Sequence, residues 1–219
     1  MGHVIQLSRQ RPRPASVDEA AAASVAPVFY FDLASPFTYL AAERVDRRLA
    51  YAEWRPARGA RFGTGDPSAT AADAFERAWR EAERRARDLH LPLVWPDRFP
   101  SPVPKAMRVA DLAVGSGLGA AFAVAAGRLA FCGGFDLEDP RILAEAAAAA
   151  GLEVELALAA SRDAGRDRAI AAAARAVWAE GGAMLPALLY GGRLYCGEQR
   201  MTAAMLVAPR RAAMGPSVC

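Results

Sequence analysis

Val28-Phe29-Tyr30-Phe31-Asp32-Leu33-Ala34-Ser35-Pro36-Phe37-Thr38-Tyr39-Leu40 changes character at its midpoint. Val28 to Asp32 is a β-branched and aromatic run, which predicts a short buried strand. Ser35-Pro36 then reads as the opening of a helix, since serine is a good N-cap and proline a good first helical residue. The helix is expected to reach about Ala50, with Phe37, Leu40, Ala41, Val45 and Leu49 on one face. Tyr51 to Arg55 predicts a second strand, stopped by Pro56. The opening order is therefore β-α-β.

Further along, Gly59 to Ser68 is a glycine-rich loop without periodicity. Thr70 to Leu89 carries a helical pattern, with Phe75, Ala78, Trp79, Ala82 and Ala86 on one side. Pro92, Pro96, Pro100, Pro102 and Pro104 then forbid continuous secondary structure. Helices are expected over Lys105 to Gly127, Arg141 to Ala150, Glu153 to Ala160 and Asp163 to Glu180, the second closed by Gly151 and the last by Gly181-Gly182. Ala187 to Tyr190 and Arg193 to Cys196 flank Gly191-Gly192, the signature of a two-residue hairpin turn. A last helix covers Gln199 to Val207. Gly115-Ser116-Gly117-Leu118-Gly119 has no strand before it and no GK[ST] after it, so it reads as a bend rather than a phosphate loop.

This order is a thioredoxin-type α/β fold with an all-helical insertion after the second strand. Residues 27–56 and 163–207 would form the thioredoxin-fold domain and 57–162 the insertion. Residues 1–26 and 208–219 would be terminal tails.

Composition narrows the function. Of 219 residues, 53% are apolar, enough to bury a full core. Net charge is +3, and arginines alternate with acids along helical stretches, so no basic stripe for nucleic acid is expected. Lys105 is the only lysine. The longest uncharged run, Leu112 to Gly127, is broken by glycines and too short for a membrane span, and Ala20 to Pro27 is too short for the core of a secretory signal. A cytoplasmic protein is expected. Cys132, Cys196 and Cys219 form no CxxC pair, and His3 and His90 are the only histidines. A dithiol redox site and a histidine metal site both lack material, so no metal is expected.

The chemistry is expected at Ser35. A helix N-terminus offers unpaired backbone N–H groups and the positive end of the dipole, so it favours an anion. Ser35 adds a hydroxyl with no base beside it, suited to stabilising a bound thiolate rather than to acting as nucleophile. Arg58 and Arg61, in the loop that follows the second strand, are solvated or face an acidic substrate.

The run Phe29 to Leu40 resembles the opening motif of the 2-hydroxychromene-2-carboxylate isomerases and kappa-class glutathione transferases, a branch of the DsbA-like thioredoxin-fold proteins. Trp54-Arg55-Pro56, Leu91-Pro92-Leu93, Phe135 to Pro140, Leu185-Pro186-Ala187 and Gly197-Glu198-Gln199-Arg200 are similar to further segments of that family in the same order. In redox relatives two cysteines stand where this chain has Ser35 and Thr38. The resemblance implies a glutathione-dependent isomerase or transferase, with glutathione as co-substrate and Ser35 stabilising its thiolate. It implies a cis peptide before Pro186, with the Leu185 backbone pairing with the glutathione cysteinyl. It also implies a γ-glutamyl site at Glu198 and Gln199, and a contact from Asp66. An aromatic or electrophilic small molecule would sit by Phe37, Thr38 and Tyr39, under the proline-rich loop. Homodimers are common in the family.

Two positions depart from the family pattern. Gln199 stands where the family has Asp, and Asp66 where it has Asn, with no lysine soon after. These departures are the basis of a second reading, a non-catalytic thioredoxin-fold module with a degraded glutathione site. A third is a DsbA-family disulfide oxidoreductase, which would have to work through Cys132, Cys196 or Cys219.

Overall fold

The computed structural model describes residues 26–59 and 70–207. Asp66, Arg61, Cys219 and the two segments expected as tails, except Ala26, lie outside the described residues. Strands β1 (Val28–Phe31), β2 (Glu53–Pro56), β3 (Ala187–Tyr190) and β4 (Arg193–Cys196) form one sheet in the order β2-β1-β3-β4. β1 runs parallel to β2 and antiparallel to β3, and β3 and β4 make the hairpin. Gly191 and Gly192 turn it at φ of 55° and 72°, values that L side chains disfavour and glycine accepts.

Eight α-helices lie among the described residues: α1 (Pro36–Arg48), α2 (Ala71–Asp88), α3 (Pro104–Gly115), α4 (Gly119–Phe131), α5 (Pro140–Ala150), α6 (Val154–Arg162), α7 (Asp167–Ala179) and α8 (Glu198–Val207). Five of them, α2 to α6, fall between β2 and α7, so the helical block follows the second strand as expected. Strand alternation sends Phe29, Phe31, Trp54 and Leu188 into the large core shared with α1, α3, α4 and α5. Val28, Tyr30 and Ala187 face the other way, against Ala174 and Val177 of α7.

Three element boundaries differ from the sequence expectation. β2 begins at Glu53 rather than Tyr51, because Ala52 N–H folds back onto the Leu49 carbonyl at 2.7 Å in a turn. Pro56 belongs to the strand: β2 is an edge strand, and the following Ala57 N–H supplies the hydrogen bond to Phe31 O at 2.8 Å. The helix expected over Lys105 to Gly127 is two helices, α3 and α4. They are separated where Gly117 takes φ of 74° and a side chain at Gly119 would meet Val114 Cγ2 at 2.6 Å.

Candidate functional site

β1 ends against the tip of α1, and the turn between them is tightly made. Ser35 N–H donates to the Asp32 carbonyl at 3.0 Å, and Ala34 N–H donates to Asp32 Oδ1 at 2.9 Å. Ser35 takes the extended N-cap conformation, with φ −100° and ψ 123°, and Pro36 follows at the first helical position. Its hydroxyl caps none of the helix amides. It is half-buried at the positive end of the dipole. The first turn of α1 carries no acidic residue of its own, and Arg47 and Arg48 stand at the far end.

Of the two residues expected beside Ser35 in a substrate pocket, Thr38 is turned inward. Thr38 is only 1% exposed, and its hydroxyl accepts the Asp32 N–H at 3.2 Å. It fastens the helix to the strand instead of facing a ligand. Phe37 is half-buried against the main core. Tyr39 is likewise interior: its hydroxyl donates to Pro92 O at 2.8 Å and lies 2.9 Å from Cys132 Sγ. Burial and the Cys132 thiol push the Tyr39 hydroxyl well above its ordinary pKa. Tyr39 therefore anchors the proline-rich stretch.

Asp32 is a buried acid at this turn that sequence reading passed over. Its side chain is buried, with Oδ1 on Ala34 N–H and Oδ2 on Gly59 N–H at 2.6 Å. Burial raises its pKa above the ordinary 3.8, opposed by those two amides and by the charge of Arg58. The available signal was an acid directly after an aromatic strand, followed two residues on by an amide it can cap.

The peptide Leu185-Pro186 is cis. β3 faces β1 with Ala187 opposite Tyr30, so the same register carried two steps further sets Leu185 beside Asp32. A Cβ built on Gly59 would lie 3.1 Å from Asp32 Oδ2 and 3.8 Å from Leu185 Cδ1, which fixes the convergence of all three. The ladder between β1 and β3 starts at Ala187, leaving the Leu185 backbone outside it. Ser35 and Leu185-Pro186 thus flank the same end of the sheet.

Glu198 departs from its expected role at a γ-glutamyl site. It opens α8, but only 3% of it is exposed and its carboxylate turns inward. Arg85 Nε reaches Oε2 at 2.7 Å, Arg44 pairs with Oε1, and Thr202 donates to Oε1 at 2.9 Å. Burial works against this charge, yet the hydrogen bonds from Arg85 and Arg44 hold the carboxyl below its ordinary value. Two guanidiniums from α1 and α2 have a stronger hold on it than any solvent-facing ligand. Gln199 stays exposed beside it, its side-chain amide on Glu81.

A shallow cleft open to solvent begins at Leu33 and Ala34, next to Ser35. Its other walls are Pro96, Phe99 and Val103 from the proline-rich stretch, and Phe131 at the end of α4 with Phe135 and Leu137 after it. Phe99, after which the peptide to Pro100 is also cis, joins an aromatic stack in which Trp79 and Trp95 lie 3.7 Å apart. Arg98 and Asp136 pair at the rim, with Arg98 Nε 3.0 Å from Oδ2. The proline-rich stretch was foreseen as a wall; the Phe131 to Leu137 side was not. Among the described residues no helix is long and apolar enough to cross a membrane, and no three His, Cys, Asp or Glu side chains group as metal ligands.

No protein-family model matches the sequence, and no curated protein matches it either. Solved structures do. A 2-hydroxychromene-2-carboxylate isomerase superposes with a TM-score of 0.66 at 16% identity, covering 81% of this chain and 91% of its own. A probable DsbA oxidoreductase from Streptomyces coelicolor gives 0.65 at 21% identity, with 88% and 97% covered. The cytosolic disulfide reductase DsbM from Pseudomonas aeruginosa, in its structure with GSH, gives 0.56 at 19% identity, with 78% and 88% covered. The protein has the DsbA-like thioredoxin fold, in the form shared by the isomerase branch and the disulfide oxidoreductases.

Proposed function

We propose that the protein is a glutathione-dependent isomerase or transferase that holds the glutathione thiolate at the tip of α1. The observation that carries this reading is the meeting, at one end of the sheet, of three features. They are a Ser35 hydroxyl that caps no helix amide, the Leu185-Pro186 backbone outside the ladder, and a cleft beginning at Leu33 and Ala34. Bound glutathione would supply a sulfur nucleophile that adds to a conjugated double bond, permits rotation about it and leaves again. Ser35 donates a hydrogen bond to the thiolate, and the helix amides and dipole favour its charge. Leu185 pairs its backbone with the cysteinyl unit in the manner of an added strand. Phe99, Phe131 and Phe135 present apolar faces to an aromatic or electrophilic small molecule. The neighbour solved with GSH supports glutathione as the co-substrate.

Such a thiol chemistry fits a reducing compartment, so the cytoplasm is part of the proposal, as is a homodimer, which sedimentation would read. Isothermal calorimetry with reduced glutathione tests the core of it. Millimolar or tighter binding that weakens in Ser35→Ala is expected, and no heat at millimolar glutathione would contradict it.

The second reading, a non-catalytic module with a degraded site, has its own observation: Glu198 is locked by Arg44 and Arg85, and Gln199 brings no charge. Absence of glutathione binding with retained fold would favour it. A dithiol oxidoreductase finds no support in the active turn, where Ser35 and Thr38 replace sulfur. Cys132 and Cys196 are each free rather than disulfide-bonded, and insulin reduction by the purified protein would revive that reading.

A further inference from the structure

Among the described residues, residue 32 makes four hydrogen bonds, and they tie together three parts of the chain. Its carbonyl accepts the Ser35 N–H at 3.0 Å, and its own N–H donates to Thr38 Oγ1 at 3.2 Å, so the strand end is fixed twice to the helix tip. Its carboxylate then divides its oxygens. Oδ1 accepts Ala34 N–H at 2.9 Å in the turn before Ser35, and Oδ2 accepts Gly59 N–H at 2.6 Å in the segment leaving β2. Leu185, the first residue of the cis peptide, is in van der Waals reach of the same corner.

An acid is a costly choice for finishing a turn in the interior. An Asn or Ser there would close the same turn without burying a charge. What the carboxylate adds is a second strong acceptor, so that amides from two different segments are held by one rigid group. Among the described residues, Arg58 is the charged side chain that faces it. That guanidinium is half exposed and also leans toward Asp167 of α7 at 3.7 Å, so it is no dedicated partner. Thr38 of α1 and Leu185, just before β3, border Asp32 and bring no charge.

We propose that Asp32 is a positioning residue: its carboxylate clamps the Ala34 and Gly59 amides together and thereby sets the Ser35 hydroxyl against the Leu185-Pro186 backbone. The consequence for thiolate binding rests on the glutathione reading, but the clamp does not. Protonation turns one oxygen into an O–H and weakens its hold on an amide, so the clamp loosens as the acid takes up a proton. Burial raises that event above the ordinary 3.8 of an aspartate.

The test is an amide NMR titration of the wild-type protein from acidic to neutral pH. The Ala34 and Gly59 amide signals are expected to move with one shared midpoint above that of an exposed aspartate, and Ser35 to follow them. Phe29 and Leu188, in the middle of the sheet, should stay still. Separate midpoints for Ala34 and Gly59, or a Ser35 signal indifferent to both, would overturn the proposal. In Asp32→Asn the shared titration should vanish, and glutathione affinity at pH 7 should fall about tenfold if the wild type binds it. Retention of the shared midpoint, or of full affinity, would count against the clamp. If the variant does not fold, the wild-type titration decides alone. Should the wild type show the shared midpoint but bind no glutathione, the glutathione reading fails and the clamp stands.

Discussion

Asp32 and Glu198 are both buried acids, yet they sit in opposite electrostatic circumstances. Glu198 lies between two guanidiniums and a hydroxyl, and its charge is favoured. Asp32 has backbone amides and a shared, half-exposed Arg58, and its charge is disfavoured. The first arrangement fastens α8 to α1 and α2, far from the reactive turn in its purpose if not in space. The second places an acid under tension at the point where the chemistry is expected. A buried charge with full compensation marks scaffold; one held by amides and only a shared, half-exposed cation marks a place where geometry has been set at the expense of stability.

The largest effect should come from the scaffold acid. Glu198→Ala leaves Arg85, 15% exposed along its side chain, and Arg44 facing each other without their counter-charge. A loss of about 3 kcal/mol is expected, which for a chain of this size lowers the melting temperature by roughly 6–12 °C. A change under ~2 °C would contradict the role of Glu198 as the fastening of α8 to α1 and α2. Ser35→Ala should do the reverse: because the hydroxyl caps no helix amide, melting should hold within ~1 °C while glutathione affinity drops roughly ten- to a hundredfold.

The two acids also predict opposite pH responses. Asp32 has a raised pKa, so its contribution to stability is present below about 3.8 and lost as pH rises through its folded value. Glu198 has a lowered pKa, so its contribution is present above about 4.5 and lost as pH falls through its folded value. Urea unfolding at several pH values should therefore show the wild type losing ground to Asp32→Asn as pH rises, and to Glu198→Gln as pH falls. Slopes of the same sign would break the comparison. The smallest effect belongs to the cleft. Phe135 is 47% exposed, so Phe135→Ala should leave stability within ~0.5 kcal/mol and raise KM for an aromatic substrate a few-fold.

The parts of this molecule that depend on near neighbours were legible in the sequence. An aromatic strand followed by Ser35-Pro36 gave β1 and α1, and Gly191-Gly192 gave the hairpin, because caps and turns are local devices. The cis peptide before Pro186 came from family likeness. What stayed hidden depends on distant partners. Glu198 turns inward because Arg44 and Arg85 arrive from helices more than a hundred residues earlier. Thr38 is drawn away from any pocket by an amide in β1's exit. The cleft needs Phe131 and Phe135 to meet the proline-rich stretch, a contact no periodicity announces. Asp66 lies outside the described residues, so its part of the site stands as an expectation.

The ultraviolet absorbance of the glutathione thiolate, followed against pH in the wild-type complex and in Ser35→Ala, addresses the α1 tip most directly. A bound thiol that ionises at least one pH unit below free glutathione, and moves back toward it when Ser35 is removed, is the predicted result. A thiol that ionises in the complex as it does in water, with or without Ser35, would contradict the account.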